Sequence, residues 1–407
     1  MNNAKRLLVI LPMLALLFGC KKKTDDDKNL TTNKTTKKVV TTKKNNQTNN
    51  TTAKKTTKKN IDGKVHYEFV DYDGTVLLAN DVTKGTTISQ SIIPNPSRSS
   101  EGNYFYYFTG WDKEVNRTIN DDVTYKAQYE KLVIPYEVSG NKAYFGFYPQ
   151  TLVTDESLKS TLNSSAKLPQ TNTNWISYNY YEDNSKSDYM WYIDIDTNGD
   201  SRSDYRGVYF TKYRPKKVTN QATPGNSYVD DYDYVLDEVY WFKYEKVEWT
   251  ILKNDSESML MLADLVLDSR DFYPEHTNTP FSHNGAEGYV NTYKLSEVRK
   301  WLNNEFYNTI FNDTEQKIIE LSDFTTREYT QSGSSKSSTS KDYVYLLSDS
   351  ELNEYIPTAT SRLTHTTDYA KVQGVEENVW CLRTPSSGSP SLSSTAISIQ
   401  YVDYTGN

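Results

Sequence analysis

Between residues 21 and 60 the chain offers almost nothing to bury. Thirteen of these residues are Lys, three are Asp, and nearly all the rest are Thr and Asn. No apolar residue recurs at the period of a helix or of a strand, so the tract is predicted to be a disordered N-terminal tether. As a flexible coil it spans roughly 35 Å root-mean-square. Its Lys excess also suits an anionic membrane or wall polymer, each charge near such a surface contributing about 1 kcal/mol. The tract divides the 407-residue chain into a short apolar start and a body from residue 61 onward. Only the body has room for a large core.

The start has a polarity order of its own. Lys5 and Arg6 are basic, residues 7–18 carry no charge, and the small Gly19 precedes Cys20. The apolar run is too short to be read as a membrane span, and its order is that of an export signal. Leu17-Phe18-Gly19-Cys20 resembles the lipobox of bacterial lipoproteins. That resemblance implies a diacylglyceryl lipid on the Cys20 thiol, Cys20 as the first residue of the mature chain, and anchoring on the extracytoplasmic face of the cell membrane. The expected division is a lipoprotein signal peptide over 1–19, a lipidated Cys and linker over 20–60, a small module over 61–132 and a larger domain over 133–407.

Charge and cysteine content narrow the function classes. The net charge is −7; residues 1–20 carry +2 and residues 21–60 carry +10, which leaves −19 on the body. An acidic body does not neutralise phosphates, so nucleic acid is not an expected partner, whereas cations are. With Cys20 lipidated, Cys381 has no cysteine left to pair with. Its setting, Trp380-Cys381-Leu382, reads as an inert buried thiol. The chain has 34 Tyr and 7 Trp, so its core is expected to be built from amphipathic aromatics on strands.

Residues 65–70 alternate as a strand, Asp73-Gly74 is a hairpin turn, and residues 75–78 continue the pattern. Phe108-x-Gly110-Trp111 and the closing Thr124-Tyr125-x-Ala127-x-Tyr129 follow. These motifs resemble the Listeria–Bacteroides repeat of internalin-type surface proteins, over about seventy residues. The resemblance implies a small β-grasp-like module used as a stalk or partner-binding unit. Read from the residues alone, its aromatics are core.

The larger domain reads as α+β and β-rich. Strands are expected at 143–151, 205–210, 239–252 (with Val247, Trp249 and Ile251 facing one way) and 259–263. A short helix is expected over 155–163. A second, capped by Ser296, carries Val298, Trp301, Leu302 and Phe306 on one stripe. Asn312-x-x-Glu315 is a capping box for a helix carrying Ile318, Ile319 and Leu321, and Ser348-x-x-Glu351 caps another. The Ser/Thr/Gly/Lys-rich stretch 330–341 reads as a mobile loop. Phe145-Gly146-x-Tyr148-Pro149-Gln150-Thr151, the run 205–210, Tyr240-Trp241-Phe242-Lys243-Tyr244-Glu245, Trp301-Leu302-Asn303-x-x-Phe306-Tyr307 and Trp380-x-Leu382-Arg383 occur in that order. In combination they resemble a bacterial extracellular domain family of unknown function, over about 140–407. The Trp-x-Leu-Arg turn is distantly similar to C-type-lectin-like and sulfatase-modifying folds. Cys381 stands where that family usually has a second Trp, and the family's closing strand is expected to be missing after Asn407.

The sharpest motif for chemistry is Asp194-Ile195-Asp196-Thr197-Asn198-Gly199-Asp200, with Asp204 beyond. Oxygens at i, i+2 and i+4 with Gly199 at i+5 match the first half of a calcium loop, so Asp194, Asp196, Asn198, Asp200 and Asp204 are the candidate ligands of a structural Ca2+. Tyr205 stands at the twelfth position in place of a bidentate Glu. The competing reading is a loop whose Asx side chains cap their own backbone. His276 and His283 are spaced too loosely for a zinc pair. There is no H-E-x-x-H, G-x-S-x-G or P-loop motif. Glu245/Glu248 and Asp230/Asp231/Asp233 are carboxylate groupings that an acidic surface supplies anyway. Trp175, Tyr178, Tyr180, Tyr181, Tyr189, Trp191 and Tyr192 are either a sugar-stacking surface or half-buried strand residues.

The expectation is a lipid-anchored, non-enzymatic cell-surface protein that presents a binding head, for a glycan or a surface-protein ligand, on a stalk. A secreted carboxylate-dependent polysaccharide hydrolase and a passive envelope scaffold are the alternatives. No catalytic residue is assigned.

Overall fold

A computed structural model describes residues 5–10, 14–16, 63–178, 190–211, 234–255, 257–272, 281–283, 286–288, 291–329, 335–373, 379–386 and 399–407. Cys20, the 21–60 tract, Tyr180, Tyr181, Tyr189, Asp230, Asp231, Asp233, His276 and residues 330–334 lie outside the described residues. The chain is a strand-rich α+β protein with several sheets. It forms two compact units, the smaller including residues 63–99 and 106–131 and the larger including residues 5–10, 14–16 and those from Leu132 onward.

The smaller unit is built on a five-stranded mixed sheet. Lys64–Val70 pairs antiparallel with Val76–Thr83 across the Asp71–Thr75 turn, where Gly74 has φ +88° and donates its N–H to Asp71 O. Lys64–Val70 also pairs parallel with Val123–Val133. Next come Tyr104–Trp111 and Arg98–Glu101 at the far edge. Period-2 alternation sends Tyr67, Phe69 and Tyr125 to one face, where Ile88 and Ile119 join them. Phe69 stacks on Tyr125 at 4.9 Å and meets Trp111 edge-on at 4.7 Å.

In the larger unit, the 16-residue strand Val239–Asn254 is the spine. One of its edges carries Lys142–Leu152. The other edge pairs first with Tyr205–Phe210 and then with Ser258–Ala263. Beyond Tyr205–Phe210 lies Met190–Ile195. Alternation gives each strand two apolar faces. Trp191, Ile193, Tyr205, Tyr209, Val239 and Trp241 form a satellite core under the helix Glu156–Ala166. Tyr192, Val208, Phe242, Val247 and Trp249 face the main core with the remaining helices. Two glycines permit close approaches. At Gly207 a Cβ would lie 2.8 Å from the Trp241 ring, and at Gly146 (φ +71°) 2.8 Å from Phe311.

The helices follow their caps. Asp155 accepts from Leu158 N, and Ser296 accepts from Arg299 N. Residues 297–310 run as helix throughout, with a π-helical turn at Leu302–Phe306. Both capping boxes form. The helix begun by Asn312 ends at Gln316, however, so Ile318 and Ile319 are buried outside it and Leu321 is exposed. Residues 335–341 are not loop. Ser335–Asp342 pairs with Ser322–Tyr329 in an eight-rung antiparallel hairpin, a use that β-branched Thr on a pleated surface supports.

The N-terminal apolar run is part of this unit. Arg6–Ile10 lies parallel between Ser258–Ala263 and Val344–Tyr345, with Leu7 fully buried. Leu14–Leu16 pairs parallel with Ser269–Asp271.

Candidate functional site

Met190–Ile195 and Tyr205–Phe210 are antiparallel partners, and their register sets Asp194 opposite Arg206. The guanidinium is buried and grips Asp194 with two bonds, Nε to Oδ1 and Nη2 to Oδ2, both 2.7 Å. Its Nη1 donates to the Tyr369 hydroxyl at 3.0 Å, and Tyr369 shares a 2.6 Å hydrogen bond with Tyr178. The Tyr192 ring lies 4.4 Å from the guanidinium carbon and the Tyr369 ring 5.5 Å, a cation–π setting. Burial alone would pull the Arg206 pKa down; the Asp194 charge and hydrogen bonds, together with Tyr244 and Tyr369, outweigh it and hold it well above the ordinary value. Burial pushes the Tyr192 hydroxyl up to about 12 and raises Tyr369 as well, so both phenols stay protonated.

Beside this pair the Tyr148 hydroxyl donates to Asp268, which also accepts from Ser269 N at 2.6 Å. The Tyr148 and Tyr369 rings meet edge-on at 5.8 Å, joining the two polar groups in one buried cluster. Burial raises the Asp268 carboxyl to about 6, against the pull of the Tyr148 hydrogen bond. A second buried cation, Arg383, holds Glu351 through Nη1 at 2.5 Å and Nη2 at 2.9 Å, and donates to Leu346 O and Thr326.

The 196–204 loop joins the strands that carry Asp194 and Arg206. Asp196 accepts from Asn198 N (3.1 Å), Gly199 N (2.6 Å) and Ser201 N (2.8 Å). These bonds, the Gly199 one foremost, hold its pKa below the ordinary carboxylate value. Asn198 accepts from Asp200 N, Asp200 from Arg202 N, and Asp204 from Thr197 N. The sharp reversal needs positive φ at Gly199 (+78°) and Ser201 (+69°). Arg202 ties the loop to the domain through Glu315 at 2.9 Å.

The five predicted ligands therefore part company. Asp194 is committed to Arg206 with both oxygens. Asp196, Asn198, Asp200 and Asp204 stay together in a loop whose side chains cap its own N–H groups, each keeping lone pairs to spare. Among the described residues no group of three or more His, Cys, Asp and Glu side chains is placed to hold a metal ion.

Glu245 and Glu248 do not meet. Each has its own partner, Glu245 accepting from Thr151 and Glu248 pairing with Lys142 at 3.2 Å. Cys381 is buried in the strand Trp380–Pro385. Trp175, Tyr178 and Tyr192 are buried, and Trp191 packs against the satellite core. A shallow polar depression of about 430 Å³ lies between Glu156–Ala166 and the start of the spine, lined by Glu156, Lys159, Asn163 and Glu238.

Sequence reasoning missed the Arg206, Tyr148, Asp268 and Tyr369 cluster. A signal was present: a lone Arg inside the apolar strand 205–210 must find a partner, and Asp194 sits at the matching rung of the preceding strand.

Comparison with known proteins bears on the C-terminal part of the chain. No curated protein and no solved structure matches it. Residues 256–407 match the family described as a domain of unknown function, DUF6273, a shorter span than the 140–407 over which the sequence resembles a domain family of unknown function.

Proposed function

We propose that the chain is a lipid-anchored, non-enzymatic surface protein whose larger unit is a binding head. The observation that carries the reading is an order in the sequence: an export-type apolar run closing at Leu17-Phe18-Gly19-Cys20, then a forty-residue tract dominated by Lys, Thr and Asn, then two folded units. Lipid on Cys20 holds the chain at the extracytoplasmic face of the cell membrane. The tract 21–60 is the tether, and residues 61–132, similar to an internalin-type repeat, are the stalk. Two features of the head support binding over chemistry. Its buried titratable groups hold strands and helices together, as Arg206 does with Asp194 and Arg383 with Glu351. A concavity beside the helix Glu156–Ala166 is shallow and polar, a form that suits a glycan or a protein surface. Asp196, Asn198, Asp200 and Asp204 supply the oxygens for a structural calcium ion in the loop, with Asp194 excluded from that set.

The test is a glycan array probed with the full chain in calcium and again in chelator. Binding lost in chelator, and lost in Asp196→Ala, ties the loop to recognition. Binding indifferent to chelator keeps the glycan reading and removes calcium from it. An empty array in both buffers overturns the glycan reading and leaves a protein ligand.

A further inference from the structure

The N-terminal run has two uses that exclude one another. As an export signal, residues 1–19 leave the chain. In the fold, Arg6–Ile10 is an interior strand, bonded on both edges. Its rungs pair Arg6 with Ser258 through Ile10 with Leu262 on one side, and Val9 with Val344 and Ile10 with Tyr345 on the other. Arg6 N donates to Glu257 O at 3.0 Å, Leu7 N to Ile318 O at 3.0 Å, and Glu320 N to Leu7 O at 2.8 Å. Leu7 is fully buried, and Leu8 packs on the main core. Lys5 caps the entrance, its N–H on the Tyr136 hydroxyl at 2.8 Å and its ammonium on Asn254 and Asp255 O.

Taking that strand away leaves a groove of defined chemistry. Ser258–Ala263 becomes an edge with a row of unpaired N–H and C=O groups, flanked by apolar residues that are buried while the strand is in place: Met259, Met261, Ile318, Ile319 and Val344. Unpaired backbone beside an apolar floor is the site that strand addition uses, main-chain bonds supplying affinity and alternate side chains specificity. The geometry points to a strand-acceptor site: in the processed head this groove takes an extended strand from a partner protein, parallel to Ser258–Ala263, made of a basic residue followed by aliphatic ones. The occupant's chemistry is read from the segment seated there, Lys5-Arg6-Leu7-Leu8-Val9-Ile10. This inference rests on the anchored reading, because only processing vacates the groove.

The test uses chain recovered from the membranes of expressing cells, with its N terminus fixed by intact mass. A synthetic peptide of residues 5–16 is added, with a scrambled peptide of the same composition as control, and amide hydrogen exchange is followed. If the chain begins at Cys20, the peptide should slow exchange across 258–263 and 344–345 at least tenfold and the scrambled peptide should not. In Cys20→Ala, which keeps residues 1–19, the same amides should be slow without peptide. A chain that begins at Cys20 and shows no peptide effect overturns the acceptor site and leaves the anchor standing. A chain that begins at Met1 overturns both, since the segment is then a permanent strand. Should the processed head prove partly unfolded, the peptide must raise its melting temperature; no rise overturns the site.

Discussion

The smaller unit takes its five strands from one continuous stretch, residues 64–133, whereas the larger unit completes its main sheet with Arg6–Ile10, 252 positions before its partner Ser258–Ala263. A second contrast runs alongside. Among the described residues every buried polar or charged side chain, from Gln150 to Thr384, belongs to the larger unit; the smaller one buries aromatics and aliphatics around Phe69. The small sheet thus rests on apolar packing within a single stretch of chain. The head rests on long-range closure and on ion pairs inside the core. Such pairs add little net stability over apolar residues of the same volume, but a broken pair leaves an uncompensated charge and is costly. Damage should therefore take a different form in each unit.

The largest effect expected is that of Arg206→Ala. It leaves Asp194 without its bidentate partner and removes the guanidinium bond to Tyr369, and should cost the head about 3–5 kcal/mol. Urea unfolding followed by tryptophan fluorescence separates the units, because Trp111 is the one Trp of the smaller unit and the other six lie in the larger. The Trp111 transition should not move.

Phe69→Ala reverses the pattern. Removing the ring that contacts both Tyr125 and Trp111 should cost about 3–4 kcal/mol, enough to unfold a unit with so small a core while the head's transition stays in place. Equal loss in both units would break the comparison.

A buried carboxyl in the head also predicts a pH dependence there. Asp268 has a carboxyl raised by burial to about 6, against about 3.9 in an unfolded chain. Between these values the folded state holds the extra proton, so this group's contribution falls as pH rises. The steepest loss is about 1.4 kcal/mol per pH unit. Asp268→Asn should flatten the head's stability between pH 4 and pH 6 relative to the parent chain. An unchanged slope would place the titration elsewhere.

The smallest effect expected is that of Ser348→Ala. It removes the oxygen that accepts from Glu351 N and should cost the head about 1 kcal/mol. The loss is read from the urea midpoint, and Ser348→Asp should restore most of it.

Much of this architecture was legible because local chemistry and global fold agree. The alternation through Val247 and Trp249, the turn at Asp73-Gly74 and the caps Ser296, Asn312 and Ser348 each state their structure in a few residues. What escaped depends on partners far along the chain. Ser335–Asp342 has a loop's composition and becomes a strand because Ser322–Tyr329 offers a matching edge. Arg6–Ile10 has a signal's composition and becomes a strand because Ser258–Ala263 and Val344–Tyr345 leave a place for it. Asx spacing marks the candidate loop, but it cannot reveal the cross-strand Arg206 that takes Asp194 out of it.

The anchor is tested most directly by metabolic labelling with palmitate followed by membrane fractionation, for the parent chain and for Cys20→Ala. A lipid on Cys20 gives a labelled parent chain in the membrane fraction and no label on the variant. An unlabelled parent chain outside the membrane fraction would contradict it.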